Sequence, residues 1–249
     1  MANQDHTLKI PLVITSELWH IGDLSNNTQG KRQSFEGNLL SASACPNAWE
    51  GIARLGGGKY YSLNQEIMLV NMWEALKGAD FEPLRLTVQQ WALKRRLIEP
   101  GVIYVASYYD DEMECEREMH FASESEARAE VEVEGCGSEI ETRSVFLATD
   151  ALLKIHGLTR PMASSGLEYA LIEWVRENTS RMIQGVYWDE KLDELGLSAP
   201  RAGMFSTKGF EERNALPDDE DCLAHVDFFT MVQYTRGGPR ADNGSERGL

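Results

Sequence analysis

Residues Glu114 to Phe121 alternate strictly, with Cys115, Arg117, Met119 and Phe121 on one side and Glu114, Glu116, Glu118 and His120 on the other. A period of two describes a strand with one face toward a core and one toward water. The β-rich run Val102 to Tyr108 precedes it across Tyr109-Asp110-Asp111, which predicts a hairpin with one acidic, water-facing side. Ser123 with Glu126 three residues on has the form of a capping box that opens a short acidic helix to about Val133. Thr142 to Ala148 returns as a strand. Glu99-Pro100-Gly101 breaks the chain before the hairpin, so an acidic insertion is expected at about 99–147.

This insertion holds most of the charge. Between Asp110 and Glu141 there are 13 acidic residues against Arg117 and Arg128, which accounts for 11 of the net −16. Such a field repels nucleic acid and anionic membranes and attracts basic partners, and it also serves solubility. At 249 residues, 42% of them apolar, the chain fits one elaborated domain over 1–236. The polar, glycine-rich segment 237–249 is expected to be a disordered tail. No apolar run approaches the roughly 20 residues of a membrane span. The start, MANQDHTLKIPLV, lacks the pattern of a secretory signal, so a soluble, cytoplasmic protein is expected. Cys45, Cys115, Cys136 and Cys222 form no CxxC pair and no His-flanked spacing, so they read as four buried or incidental thiols with no metal site.

Elsewhere, Ile10 to Ile14 reads as an edge strand, Leu18 to His20 and Ser41 to Ser43 as short strands, and Pro46 as the first turn of a helix that Gly56, Gly57 and Gly58 stop. Those glycines match no phosphate-loop pattern. A strand follows at Tyr60 to Leu63, then helices over Met68 to Leu76 and Leu86 to Ile98. Ser165 and Glu168 form a second capping box, which accounts for Glu168 as a helix-start residue rather than a catalytic acid. The helix it opens carries Leu167, Leu171, Trp174, Val175 and Met182 on one face. Strands close the chain at Ala202 to Ser206 and His225 to Tyr234.

Two stretches resist a packing explanation. Leu18 to Ser43, LWHIGDLSNNTQGKRQSFEGNLLSAS, pairs His20 and Gly22 with Ser41 and Ser43, and the two serines face one side of their strand. Gly185 to Asp193, GVYWDEKLD, sets Tyr187 and Trp188 beside Asp189 and Glu190, and Leu197-Ser198-Ala199-Pro200-Arg201 follows. Aromatic rings beside carboxylates suit a flat cationic ring.

The order of His20, then Ser41 and Ser43, then a late acid resembles the three-motif arrangement of ADP-ribosyltransferases. The wider phrasing is also similar to a group of phage-associated and bacterial proteins. The resemblance covers the first 60 residues and positions 185–206. It implies an α+β domain with a split, mostly antiparallel sheet and NAD as substrate. The acceptor is a protein or a single-stranded nucleic acid, in the setting of a toxin or effector of phage–bacterium conflict with a neutralising partner protein and no membrane. On this resemblance Asp189 or Glu190 is the catalytic carboxylate, which strengthens its hydrogen bond to the ribose 2′-hydroxyl as oxocarbenium charge develops. His20 contacts the adenosine ribose, the Gly22 backbone the nicotinamide amide, and Ser41, with Ser43 in support, the ribose or the cleft. Tyr187 or Trp188 stacks on a ring, and Arg201 meets the pyrophosphate. The chain departs from the family in reading His-Ile-Gly-Asp where His-Gly-Thr is familiar, and in lacking an ExE or QxE strand. A non-enzymatic acidic protein capturing a basic partner, and a hydrolase acting on NAD or a nucleotide in the same cleft, are the alternatives.

Overall fold

The computed structural model describes residues 8–24, 36–53, 58–110, 115–134, 140–158, 165–179, 182–191, 199–217 and 226–232. These form an α+β fold whose sheets are mostly antiparallel. The largest sheet has six strands in the order β12-β1-β5-β9-β10-β3. They are β12 (Val226–Val232), β1 (Lys9–Thr15), β5 (Ile67–Asn71), β9 (Ile183–Trp188), β10 (Arg201–Met204) and β3 (Leu40–Ala42). Among the described residues, only the β5–β9 pairing of this sheet is parallel.

A second sheet, β11-β4-β2, joins β11 (Phe210–Arg213), β4 (Tyr60–Leu63) and β2 (Leu18–Ile21). One bridge, Trp19 to Ser43, ties β2 to the end of β3 and so links the two sheets. The six-stranded sheet is therefore covered twice. On one face Ile10, Leu12, Val70, Val186 and Trp188 pack under three helices, α2 (Met72–Lys77), α3 (Glu82–Lys94) and α6 (Gly166–Asn178). On the other, Val13, Leu69, Tyr187 and Ala202 meet Leu18 and Leu63 of the second sheet.

Double coverage explains β1, which is not an edge strand: it pairs with β12 on one side and β5 on the other. A strand buried on both faces needs a continuous apolar run rather than alternation, and Lys9–Thr15 supplies one. Pro11 is tolerated because pairing with β5 begins only at Leu12. The same ambiguity hid β5. Ile67–Asn71 is a strand, and the helix starts only at Met72, where Asn71 Oδ1 accepts the Glu74 N–H at 3.2 Å. The helix expected over Leu86 to Ile98 begins earlier, at Glu82, and gives way to a strand at Ile98. Helix α1 (Pro46–Ala53) opens at Pro46 as expected. Cys45, just before it, is disulfide-bonded and so is not a free thiol.

The acidic segment builds a third sheet, β7-β6-β8, from β6 (Ile98–Asp110), β7 (Cys115–Phe121) and β8 (Ile140–Ala148), with α4 (Glu124–Glu134) between β7 and β8. Glu99-Pro100-Gly101 does not break the chain. It lies within β6, at a stretch where β7 has not yet begun to pair, and an unpaired side tolerates a proline. Ser123 does cap α4, its Oγ accepting the Glu126 N–H at 3.3 Å. After β8, the short α5 (Asp150–His156) had no counterpart in the sequence reading. Helix α6 then begins directly on β8: a Cβ at Gly166 would stand 2.1 Å from the Phe146 carbonyl oxygen. Close backbone approach thus fixes the start of α6. The expected tail at 237–249 lies outside the described residues.

Candidate functional site

Arg201 opens β10 opposite Trp188 of β9, and residues paired across antiparallel strands share a face. Trp188 packs under the helices, so the Arg201 side chain is drawn to that face with it. Arg201 is 8% exposed, and its guanidinium carbon lies 4.3 Å from the Trp188 ring centroid. Its Nη1 donates to Glu36 Oε1 at 2.8 Å and its Nε to Glu190 Oε1 at 3.0 Å. Burial works to lower its pKa, but the Glu36 and Glu190 carboxylates outweigh burial and raise it. Glu36 is buried, whereas the Glu190 side chain is 25% exposed and is the more open member of the pair.

At the ring edge, Trp188 Nε1 donates to Glu168 Oε1 at 2.7 Å. The second capping box is therefore not formed: Ser165 makes no side-chain cap bond, and Glu168 faces Trp188 instead. Glu168 keeps a little exposed surface, yet burial dominates and raises its pKa, with the Trp188 hydrogen bond and Arg201 opposing.

A second polar layer continues along α6. Tyr169, Glu173 and Arg176 follow one another at helical spacing. The His156 ring lies 4.8 Å from Tyr169, and its Nε2 is 3.2 Å from Glu173 Oε1, which is 2.9 Å from Arg176 Nη1. The His156–Glu173 contact has the distance of an ion pair without the direction of a hydrogen bond. His156 also meets the turn before β3. Gly37 has φ +65°, and a Cβ there would come within 2.4 Å of His156 Nδ1, so both backbone and packing require glycine.

His20 and Tyr187 sit on the opposite face of the six-stranded sheet, whereas Ser41, between Leu40 and Ala42 on β3, is turned to the helix side. His20 of β2 is 7% exposed and lies near Tyr61 and Phe210, with ring centroids 6.2 and 6.3 Å away. Its Nδ1 is 2.7 Å from the Ser41 carbonyl oxygen. A carbonyl only accepts, so Nδ1 carries the proton and Nε2 presents a lone pair. Nε2 is buried and has no hydrogen-bond partner among the described residues. Gly22, at φ +136°, would place a Cβ 3.4 Å from that nitrogen, so a side chain there would crowd it further.

Comparison with protein-family models, curated proteins and solved structures finds no match to this chain. Its site must be judged on its own geometry.

By that geometry the predicted residues divide. His20 and Tyr187 belong to the layer between the two sheets, and Trp188 and Arg201 to the layer under the helices. Tyr187 is fully buried, its hydroxyl unpartnered among the described residues and its pKa raised by burial and by Asp189. The Trp188 ring is covered by Arg201, so neither aromatic offers a free face to a ligand. Arg201, expected at a pyrophosphate, is engaged by two carboxylates. Ser43 is structural: its Oγ donates to the Pro200 carbonyl and accepts the Cys45 N–H. The Ser41 hydroxyl oxygen is buried without a partner among the described residues. Asp189 stands largely exposed past the end of β9, and partial desolvation, followed by the Glu74 charge, raises its pKa. His20 does not meet Glu190. Two strand spacings, about 10 Å, separate β2 from β10, so a ligand touching both must extend around the ends of β3 and β10.

Burial pushes the His20 imidazole below its ordinary value near 6.5, with the Ser41 carbonyl and Asp23 opposing. The unfolded chain then takes the proton first as pH falls. The stability that His20 contributes is whole above about pH 6.5 and is lost as pH falls through the folded value. Urea midpoints at about pH 7.5 and about pH 5.5 should drop more for the native chain than for His20→Phe. Equal drops would show that His20 charges freely in the folded state.

Proposed function

We propose that the protein is an NAD-dependent ADP-ribosyltransferase with a fold of that enzymes' split-sheet type. The observation that carries this reading is His20. Its tautomer is set by the Ser41 carbonyl, its charge is suppressed by burial, and its Nε2 is left to accept a hydrogen bond. A ribose hydroxyl is a donor of the kind such a nitrogen takes, and reaching this buried atom requires the residues covering it to part. The arrangement of strands supports the same reading, because β2 and β3 part into different sheets beside a single bridge.

Of the two carboxylates left open by the sequence, Glu190 fits the catalytic role. It is held by Arg201 from a buried base and remains partly exposed, whereas Asp189 has a like charge, Glu74, as its electrostatic neighbour. In the reaction the bond from ribose C1′ to the nicotinamide nitrogen breaks, and its electron pair leaves with nicotinamide. The Glu190 carboxylate accepts the 2′-hydroxyl hydrogen bond, which strengthens as positive charge spreads over C1′ and the ring oxygen. A nucleophile on the acceptor then bonds C1′ and loses its proton. A protein or single-stranded nucleic acid acceptor, and a role as a cytoplasmic toxin or effector with a neutralising partner, are parts of the same proposal.

Part of the acidic face is paired within the chain. Arg143 bonds Glu118 at 2.7 Å and Glu141 at 2.6 Å, and Arg128 pairs with Glu124. Hydrogen bonds from Arg143, aided by His120, hold the Glu118 carboxyl down at about 2. Arg143 and Arg128 thus offset two of these three charges, and the segment as a whole stays strongly negative.

The deciding experiment incubates the chain with NAD labelled in the adenylate and with cell extract. Label in protein or nucleic acid is the expected result. Nicotinamide release without labelled acceptor would make the protein a hydrolase, and neither outcome together with no NAD binding by calorimetry would overturn the enzyme reading.

A further inference from the structure

Glu168 is the carboxylate of the Arg201 cluster for which the proposed reaction has no use. It sits on the first turn of α6, which Gly166 seats directly on the β8 backbone. From there it accepts the Trp188 indole N–H at 2.7 Å. Trp188 is 1% exposed, so its N–H has little water to turn to. Without an acceptor the ring must either leave a buried donor unsatisfied or move. The ring face supports the Arg201 guanidinium at 4.3 Å, and Arg201 holds Glu190 at 3.0 Å.

We propose that Glu168 is a positioning residue for ADP-ribosyl transfer: through its hydrogen bond it fixes the Trp188 ring, the ring fixes Arg201, and Arg201 presents Glu190 to the ribose. Glu168 itself touches no reacting atom. This assignment rests on Glu190 as the reacting carboxylate. It accounts for a carboxylate on the buried side of a helix start whose cap it does not serve. It also gives the third sheet a mechanical link to the site, since β8 sets the position of α6.

The full chain is assayed for nicotinamide release from NAD, with kcat and KM resolved, and thermal melts confirm that each variant folds. Glu168→Ala should lower kcat about 10- to 100-fold, the scale on which a displaced catalytic group costs rate, with KM for NAD changed less than about twofold. Glu168→Gln keeps a carbonyl acceptor for the indole and should recover most of the lost turnover. Trp188→Phe keeps the ring but removes the N–H, and should reproduce the kcat loss. If Glu168→Ala does not fold, Trp188→Phe decides. Native kcat in either folded variant would overturn the assignment. So would a loss confined to KM, or a Glu168→Gln as slow as Glu168→Ala, which would make the carboxyl a proton donor. A native chain with no NAD turnover would overturn the transferase reading and this assignment with it. Native turnover with Glu168→Ala unaffected would overturn this assignment alone.

Discussion

Arg201→Ala is expected to cost about 3–5 kcal/mol of folding stability, read as a lowered urea midpoint with an unchanged slope. The cause is what remains behind. Glu36, its side chain 2% exposed, would keep a charge with its main partner gone, and Trp188 would lose the cation over its ring. Removing one member of a buried pair is costly because the other stays desolvated, whereas replacing both by apolar groups is often nearly neutral. Arg201→Met combined with Glu36→Leu should therefore recover much of the loss. Glu190, being partly exposed, can turn to water. Arg201→Lys should fail to restore stability, since one ammonium cannot serve two carboxylates and lie flat on an indole. A Lys variant as stable as the native chain would show that charge alone holds the cluster.

Glu190→Gln is expected to lower kcat for nicotinamide release by about 10²–10³-fold, the loss that follows removal of a preorganised group facing developing charge. Asp189→Asn should stay within about threefold of the native chain by the same reasoning, since no positioned partner among the described residues aims that carboxylate. The comparison is direct because the two residues are adjacent and differ in anchoring: Glu190 is bonded to a buried guanidinium, and Asp189 stands exposed past the strand end. A reversed pattern would move the catalytic role to Asp189 and place the reacting ribose away from Arg201.

The two experiments also separate stability from chemistry. Arg201 bridges them, since its loss removes both a buried pair and the anchor of Glu190. Glu190→Gln keeps a group that Arg201 can still bond, so the fold should hold while turnover falls. That contrast tests whether the ion-pair cluster is an active site or only a core feature.

Much of the local structure was legible in the residues. Alternation over 114–121 marked β7, and Ser123 with Glu126 marked the start of α4. Turn chemistry placed β2, β3 and α1, because each is set by neighbours within a few residues. The same local signals misled at Ser165 and Glu168, where the spacing of a capping box was present but the carboxylate had a better partner in Trp188, 20 positions away. A polar stripe of Tyr169, Glu173 and Arg176 within a helix buried from Tyr169 to Val175 was the available sign that α6 covers a polar site. Apolar runs such as Ile10–Ile14 and Met68–Leu76 could not declare their partners, since a run buried on both faces carries no periodicity.

By itself the sequence determined the mostly antiparallel character, the acidic β–α segment, and the order in which His20, Ser41 and Glu190 appear. Only the tertiary structure decided which face each of them occupies. Register of β10 against β9 and β3 puts Arg201 beside Trp188 and within reach of Glu36, 165 positions earlier in the chain. A one-residue slip of that register would turn Arg201 to the opposite face and separate it from both. Sequence order carries no information about such a slip, because register is set by packing across the sheet and not by the neighbours of Arg201 along the chain.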